Sequence, residues 1–336
     1  MDHSIVSGAT TAYSHRLTPG AEQFLMTLKS DGFPGWAYLT IEQARAMLGP
    51  VAPLAGEPER VSRVEDTHVP GNPEIPVRLY IPESLRPDLP MPVIVYFHGG
   101  GWVCGDYAYI DTPVRALANR SGCAVVSVNY RLAPEFKYPA ALDDAYAALI
   151  WASQQGQRFG WDGSKLAVAG DSVGGGLAAA VALRSRDESG PAIAFQLLVY
   201  PVLDHDYSNE SYRQFGSSWG ILTRTDMIWF HSHYVSHPDQ LDLPYVSPAR
   251  WAHLEGLPEA LVLVPEADPL RDEALLYVER LSAAGVRARS VVYPCVIHGF
   301  WQFGALMAEA HTAIDEAAAS LRSCFSIPSS RASTGS

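Results

Sequence analysis

The stretch Leu166-Ala167-Val168-Ala169-Gly170-Asp171-Ser172-Val173-Gly174-Gly175-Gly176-Leu177 decides how this chain folds. Its first four residues form an apolar run without alternation, the pattern of a strand buried on both faces. Gly174 to Leu177 opens a helix, so Gly170-Asp171-Ser172-Val173-Gly174 is a strand-to-helix turn of G-x-S-x-G form. Such a sharp turn drives Ser172 into unfavourable backbone angles and pushes its hydroxyl clear of the sheet. Side chains at Gly170 and Gly174 would clash where strand and helix meet. The helix N-terminus adds positive dipole and free N–H groups beside Ser172. Read alone, the stretch also suits an N-cap serine flanked by turn glycines.

The same rhythm continues outward from this turn. Apolar runs at residues 93–97, 124–128, 194–200, 260–264 and 290–293 are mostly continuous, and residues 77–81 read as a further strand. Helical segments at 142–151, 177–186 and 273–284 separate them, the last closed by Gly285 as a C-cap. Alternating strands and helices predict a doubly wound α/β fold whose site lies at the C-terminal ends of the strands. Two weaker helical patterns, at 21–28 and 41–48, flank the aromatic turn Gly32-Phe33-Pro34-Gly35-Trp36-Ala37-Tyr38. Residues 203–251 break the rhythm, being polar and aromatic without a sheet strand, and read as a helical insertion. The expected organisation is a cap from residues 1–50 and 203–251, a core from 51–202 and 252–325, and a disordered Ser-rich tail at 326–336.

Bulk composition narrows the function. The 336 residues carry 36 acids against 24 bases, a formal charge of −12 with no Lys/Arg cluster, which argues against nucleic acid as a partner. The four cysteines are far apart and form no C-x-x-C pair, so the sequence predicts neither a disulfide framework nor a zinc site, but reduced thiols in a cytoplasmic protein. Cys104 and Cys295 lie near motif residues and are candidates for reaction with thiol reagents. Met1-Asp2-His3-Ser4 lacks a basic region followed by an apolar core, which argues against a signal peptide. No apolar run approaches the roughly 18 residues of a membrane span.

A serine hydroxyl is barely ionised at neutral pH and needs a base. Of eleven histidines, His298 in Ile297-His298-Gly299-Phe300 is best placed, on a loop just after the last strand. A carboxylate must hold the base in the correct tautomer. Asp268 follows the strand at 260–264 and completes the order Ser172, Asp268, His298. It also suits the N-cap of the helix that starts near Pro269, and Glu266, Asp272 and Glu273 are local rivals. Upstream, His98-Gly99-Gly100-Gly101-Trp102 follows the strand at 93–97. Its bare backbone N–H groups can approach a developing negative charge, so Gly100, Gly101 and Val173 are the expected oxyanion hole. His98 is expected to brace this loop by hydrogen bonding. His233 and His237 have helical metal-pair spacing, but no glutamate follows the first and no third ligand is near; a solvated surface is the expected reading.

Together these motifs resemble the hormone-sensitive-lipase-like family of α/β-hydrolases, the bacterial family IV carboxylesterases. The resemblance rests on His98-Gly99-Gly100-Gly101-Trp102, Asn129-Tyr130-Arg131-Leu132-Ala133-Pro134-Glu135, Tyr138-Pro139-Ala140, Gly170-Asp171-Ser172-Val173-Gly174-Gly175, Asp268-Pro269-Leu270-Arg271-Asp272-Glu273 and His298-Gly299-Phe300. It implies an eight-stranded, mostly parallel sheet under a helical cap, and a triad in which Asp268 is the acid. It implies hydrolysis of short-acyl carboxylic esters through an acyl-enzyme without metal or organic cofactor, and in some members a homodimer. Val173 stands where alanine is more usual, and Ala274 where glycine is common. Trp102, Phe215 and Trp219 are the expected contacts for an ester of short or medium acyl chain, or an aryl ester. Amide cleavage or deacetylation on the same triad, and ligand binding on a hydrolase scaffold, are the other readings of these residues.

Overall fold

A computed structural model describes residues 17–83, 89–217 and 220–329. The eight strands are β1 (Arg63–Val69), β2 (Ile75–Ile81), β3 (Met91–Phe97), β4 (Ala124–Val128), β5 (Trp161–Asp171), β6 (Ile193–Val199), β7 (Glu259–Ala267) and β8 (Ala288–Ile297). They form one sheet in the order β1-β2-β4-β3-β5-β6-β7-β8. β2 runs antiparallel to both its neighbours, and the pairs from β4 across to β8 are parallel. The chain steps from β3 to β4 on one side and then resumes with β5 on the other. β3 and β5 therefore flank a switch point, where open α/β sheets place ligands. At that point Phe97 lies beside Gly170 in register, which brings the glycine loop and the Ser172 turn together.

The helices are α1 (Pro19–Ser30), α2 (Ile41–Ala46), α3 (Asp111–Ser121), α4 (Ala140–Gln154), α5 (Gly156–Phe159), α6 (Val173–Asp187), α7 (Glu210–Phe215), α8 (Arg224–Tyr234), α9 (Arg271–Ala283) and α10 (Ala308–Phe325). The continuous apolar runs are explained by cover on both sides. Val93, Val95 and Phe97 of β3 face the core formed with α4, α6 and α9, while Ile94 and Tyr96 face the core formed with α3 and α10. α6 is buried almost all round, from Val173 to Leu183. Its small residues let it lie close to the exit of β6; a Cβ on Gly176 would come 2.2 Å from the carbonyl of Val202. β1 had no apolar run to announce it, because it pairs at the sheet's edge and buries only Val69.

Among the described residues, 203–251 hold no strand of this sheet but α7, α8 and the 3-10 turns Pro238–Asp242 and Pro248–Arg250. An N-terminal arm meets this insertion. Trp36 Nε1 donates to the carbonyl of Ile221 at 2.7 Å, and the N–H of Ala37 donates to Asp226 Oδ1 at 2.9 Å. The arm runs past residue 50, through the 3-10 turn Gly49–Ala55. Its first helix lies on the core instead: α1 packs near β8, with Phe24 on Phe303 at 4.3 Å. The part of the cap expected at 1–16 and the tail at 330–336 lie outside the described residues. Ser326 and Ile327 close α10, the latter donating to the carbonyl of Arg322 at 2.8 Å. Among the described residues no helix is long and apolar enough to cross a membrane.

Candidate active site

Ser172 joins β5 to α6 with φ 56° and ψ −122°, a strained left-handed conformation for a residue with a side chain. The exit of β6 clamps it from both sides. Its N–H donates to the carbonyl of Val199 at 2.8 Å, and its own carbonyl accepts from Val202 N–H at 3.0 Å. Gly174 follows within the turn, where a Cβ would lie 2.0 Å from the carbonyl of Phe97. The strain is thus held by β3 and β6 together, and it presents the hydroxyl above the sheet.

His298 follows β8, and Gly299 beyond it turns left-handed with φ 84°. Its Nε2 lies 3.0 Å from Ser172 Oγ, and its Nδ1 lies 2.7 Å from Asp268 Oδ2. Asp268 is fully buried at the end of β7. Its other oxygen, Oδ1, accepts from the N–H of Leu270 at 2.9 Å. Asp268 lies beside His298, but it is not the N-cap of α9: that position is Leu270, and Oδ1 instead ties the turn that leads into the helix. The rival carboxylates are engaged elsewhere. Glu266 accepts from Cys295 N–H, Asp272 from Ser211 N–H, and Glu273 from the N–H groups of Leu203 and Asp204.

The glycine loop after β3 is braced from beneath. His98 Nδ1 donates to the carbonyl of Gly99 at 2.7 Å, its ring stacks on Tyr130 at 4.3 Å, and the Tyr130 hydroxyl donates to the carbonyl of His98 at 2.6 Å. Burial pushes the His98 imidazole down to about 4, so it is neutral at physiological pH. Among the described residues, the N–H groups of Gly100, Gly101 and Val173 make no hydrogen bond. Gly101 sits at φ 65° directly beneath the ring of Phe230 from α8, which a Cβ would meet at 2.0 Å.

These residues surround a cavity of about 70 Å³. Its floor holds Ser172, His298, Gly100 and Gly101; Trp36, Leu48 and Val51 of the arm and Ile221, Leu222 and Phe230 of the insertion close it above. Two floor residues carried no role in the sequence reading. Asp171 accepts from the hydroxyl of Tyr96 at 2.9 Å and from the N–H of Gly99 at 3.0 Å, and burial raises its carboxyl to about 6. Tyr200 leaves β6 with φ 36° and sets its ring 4.6 Å from that of His298. Its position at a strand's C-terminal end was a usable signal. For the arm the sequence offered the expected cap segment and the aromatic turn that holds Trp36, but nothing that singled out Leu48 or Val51, which only the tertiary fold carries over the sheet.

Two expected contacts are corrected. Trp102 turns away from the cavity at φ 60° and stacks on Tyr234 at 4.2 Å, held beneath α8. Phe215 is buried with the Arg271 guanidinium 5.2 Å over its ring and does not line the cavity. Trp219 lies outside the described residues. Cys104 is buried and its thiol is pushed up to about 12, which removes it as a candidate for ready reaction. His233 and His237 do not converge on a metal site either, and the His233 ring instead packs edge-on against Trp229 at 4.5 Å. His231 is buried against the Tyr207 hydroxyl, while His237 caps the turn Pro238–Asp242. Among the described residues no group of three or more His, Cys, Asp or Glu is arranged to hold a metal ion.

A protein family described as having the alpha/beta hydrolase fold matches residues 94–302. Carboxylesterase NlhH of Mycobacterium tuberculosis is 40% identical over 84% of this chain and 89% of its own length. An ethyl acetate hydrolase of Pseudomonas putida is 37% identical over 77% of this chain and 81% of its own. Among solved structures, a hyperthermophilic esterase from the archaeon Pyrobaculum calidifontis superposes with a TM-score of 0.85 at 39% identity, covering 93% of this chain and 99% of that one.

Proposed function

The chain belongs to the α/β-hydrolase family, and on that premise we propose that it is a serine carboxylesterase acting on small esters through an acyl-enzyme. One observation carries the reading: Ser172 Oγ, His298 Nε2 and Nδ1, and Asp268 Oδ2 lie in one hydrogen-bonded line, with steps of 3.0 and 2.7 Å. The esterase names of its relatives support it.

Ser172 Oγ attacks the ester carbonyl while His298 Nε2 takes its proton. Asp268 holds the Nδ1–H tautomer and stabilises the imidazolium that forms. The carbonyl oxygen, now negative, takes up hydrogen bonds from the N–H groups of Gly100, Gly101 and Val173. His298 returns the proton to the departing alkoxide, and the alcohol leaves. Water, deprotonated by the same nitrogen, then attacks the acyl-serine, and the proton passes back to Ser172 as the acid departs.

The cavity supports short acyl groups. At about 70 Å³ it is under half the roughly 150 Å³ of an engineered apolar cavity that admits benzene. The test is hydrolysis of p-nitrophenyl esters from acetate to palmitate by wild type and Ser172→Ala. Fast turnover of the shortest esters that vanishes in the variant supports the reading. Activity rising steadily toward long chains overturns the size preference, and full activity in the variant overturns the nucleophile.

A further inference from the structure

A second and larger cavity, of about 400 Å³, lies beside the first. Leu48 and Tyr109 line both, so a wall one side chain thick divides them. Leu48 is supplied by the arm, at the start of the turn Gly49–Ala55, and is almost buried. Tyr109 comes from the core, just before α3.

The charged groups around the second cavity are already engaged. Arg45 pairs with Glu135 at 2.6 Å and also donates to the carbonyls of Val103 and Ala133. Asp106 accepts from Tyr109 N–H at 2.8 Å. What remains is the aliphatic surface of Leu48, Ala52, Ala108 and Leu132. Such a wall offers an anion or a peptide little to pair with, but it gives a hydrocarbon chain an apolar surface to lie against. Its continuity with the ester cavity says where that chain would come from.

We propose that the second cavity receives the alkyl arm of longer esters, and that Leu48 is the specificity-determining residue that keeps it shut. This rests on the reading of the first cavity as the ester site. With Leu48 in place, a substrate must fit the smaller space. With its side chain removed, the two spaces join around the edge of Tyr109, and each methylene that enters is worth about fourfold in binding.

The experiment compares kcat/KM for octanoate over acetate as p-nitrophenyl esters, and for octyl over ethyl acetate, in wild type, Leu48→Ala and Ala52→Phe. Ala52 lines only the second cavity, so filling it tests that space without altering the wall. Leu48→Ala raises the octyl-to-short ratio about tenfold or more, and Ala52→Phe introduced into Leu48→Ala returns it toward wild type. A response in the acylate series assigns the cavity to the acyl arm, and one in the acetate series to the alkoxy arm. Ratios unchanged in both series by every variant, in a protein that still hydrolyses acetate, overturn the inference and leave the esterase reading intact. A wild type inactive on every ester overturns both.

Discussion

The backbone N–H of Gly99 donates to Oδ1 of Asp171 across 3.0 Å, tying the glycine loop to the turn that carries Ser172. The same oxygen accepts from the Tyr96 hydroxyl, so one buried carboxylate fixes the distance between Ser172 and the loop that carries Gly100 and Gly101. Asp171→Ala is expected to lower kcat about 10- to 100-fold with little change in KM, because donors set slightly wide cost transition-state stabilisation more than binding. Steady-state kinetics on p-nitrophenyl acetate decide it; a change confined to KM would contradict the positioning role.

The same residue yields a pH prediction. Burial lifts the Asp171 carboxyl from 3.8 to about 6 in the folded protein. A raised folded value contributes stability that is complete below the unfolded value and is lost as pH rises through the folded one. Asp171→Asn keeps an acceptor and does not titrate. Relative to wild type it should therefore gain stability as pH rises from about 4 to 6, by an amount on the order of 3 kcal/mol at most. Urea unfolding at both ends of that window measures it, and a difference independent of pH would contradict it.

Asp268 separates catalysis from stability by oxygen. Asp268→Asn can still accept from Leu270 N–H through Oδ1 but faces His298 with an amide, which selects the wrong tautomer. The expected loss in kcat is on the order of 10⁴-fold with the melting temperature nearly kept. Asp268→Ala loses the hydrogen bond from Leu270 N–H as well, at about 1 kcal/mol more. Paired kinetics and thermal melts test this; equal melting losses in both variants would show that the bond to Oδ1 contributes no stability.

Gly101→Ala tests the loop under Phe230. A Cβ there would lie 2.0 Å from the aromatic ring and at φ 65°, so α8 or the loop must move. Destabilisation of about 1–3 kcal/mol is expected, together with roughly 100-fold loss of kcat as an oxyanion donor shifts. A Phe230→Ala background relieves the clash but not the backbone strain, and should recover part of the stability.

The sheet was legible wherever strands are covered on both faces, because the covered stretches of β3, β5, β6 and β7 are then mostly apolar. β1 escaped because one edge strand with polar residues looks like a loop. Ser172, Asp268 and His298 were legible because each directly follows a strand or caps a helix, and sequence order reports both. Trp102 and Phe215 were misplaced because proximity in sequence to a motif does not say which way a ring turns. The answer lay in Tyr234 and Arg271, which tertiary packing brings up against them. The two segments above the cavity were read as a cap, but which of their side chains face it, Trp36, Leu48 and Phe230 among them, was illegible for the same reason.

The most direct test of the account is covalent. Wild type is treated with diethyl p-nitrophenyl phosphate and the labelled protein is digested and mapped by mass spectrometry. The account predicts one diethylphosphoryl group per chain, on Ser172, with activity lost in step with labelling. Complete inactivation with the label on any other residue, or ester hydrolysis at the wild-type rate after Ser172 is fully labelled, would contradict it.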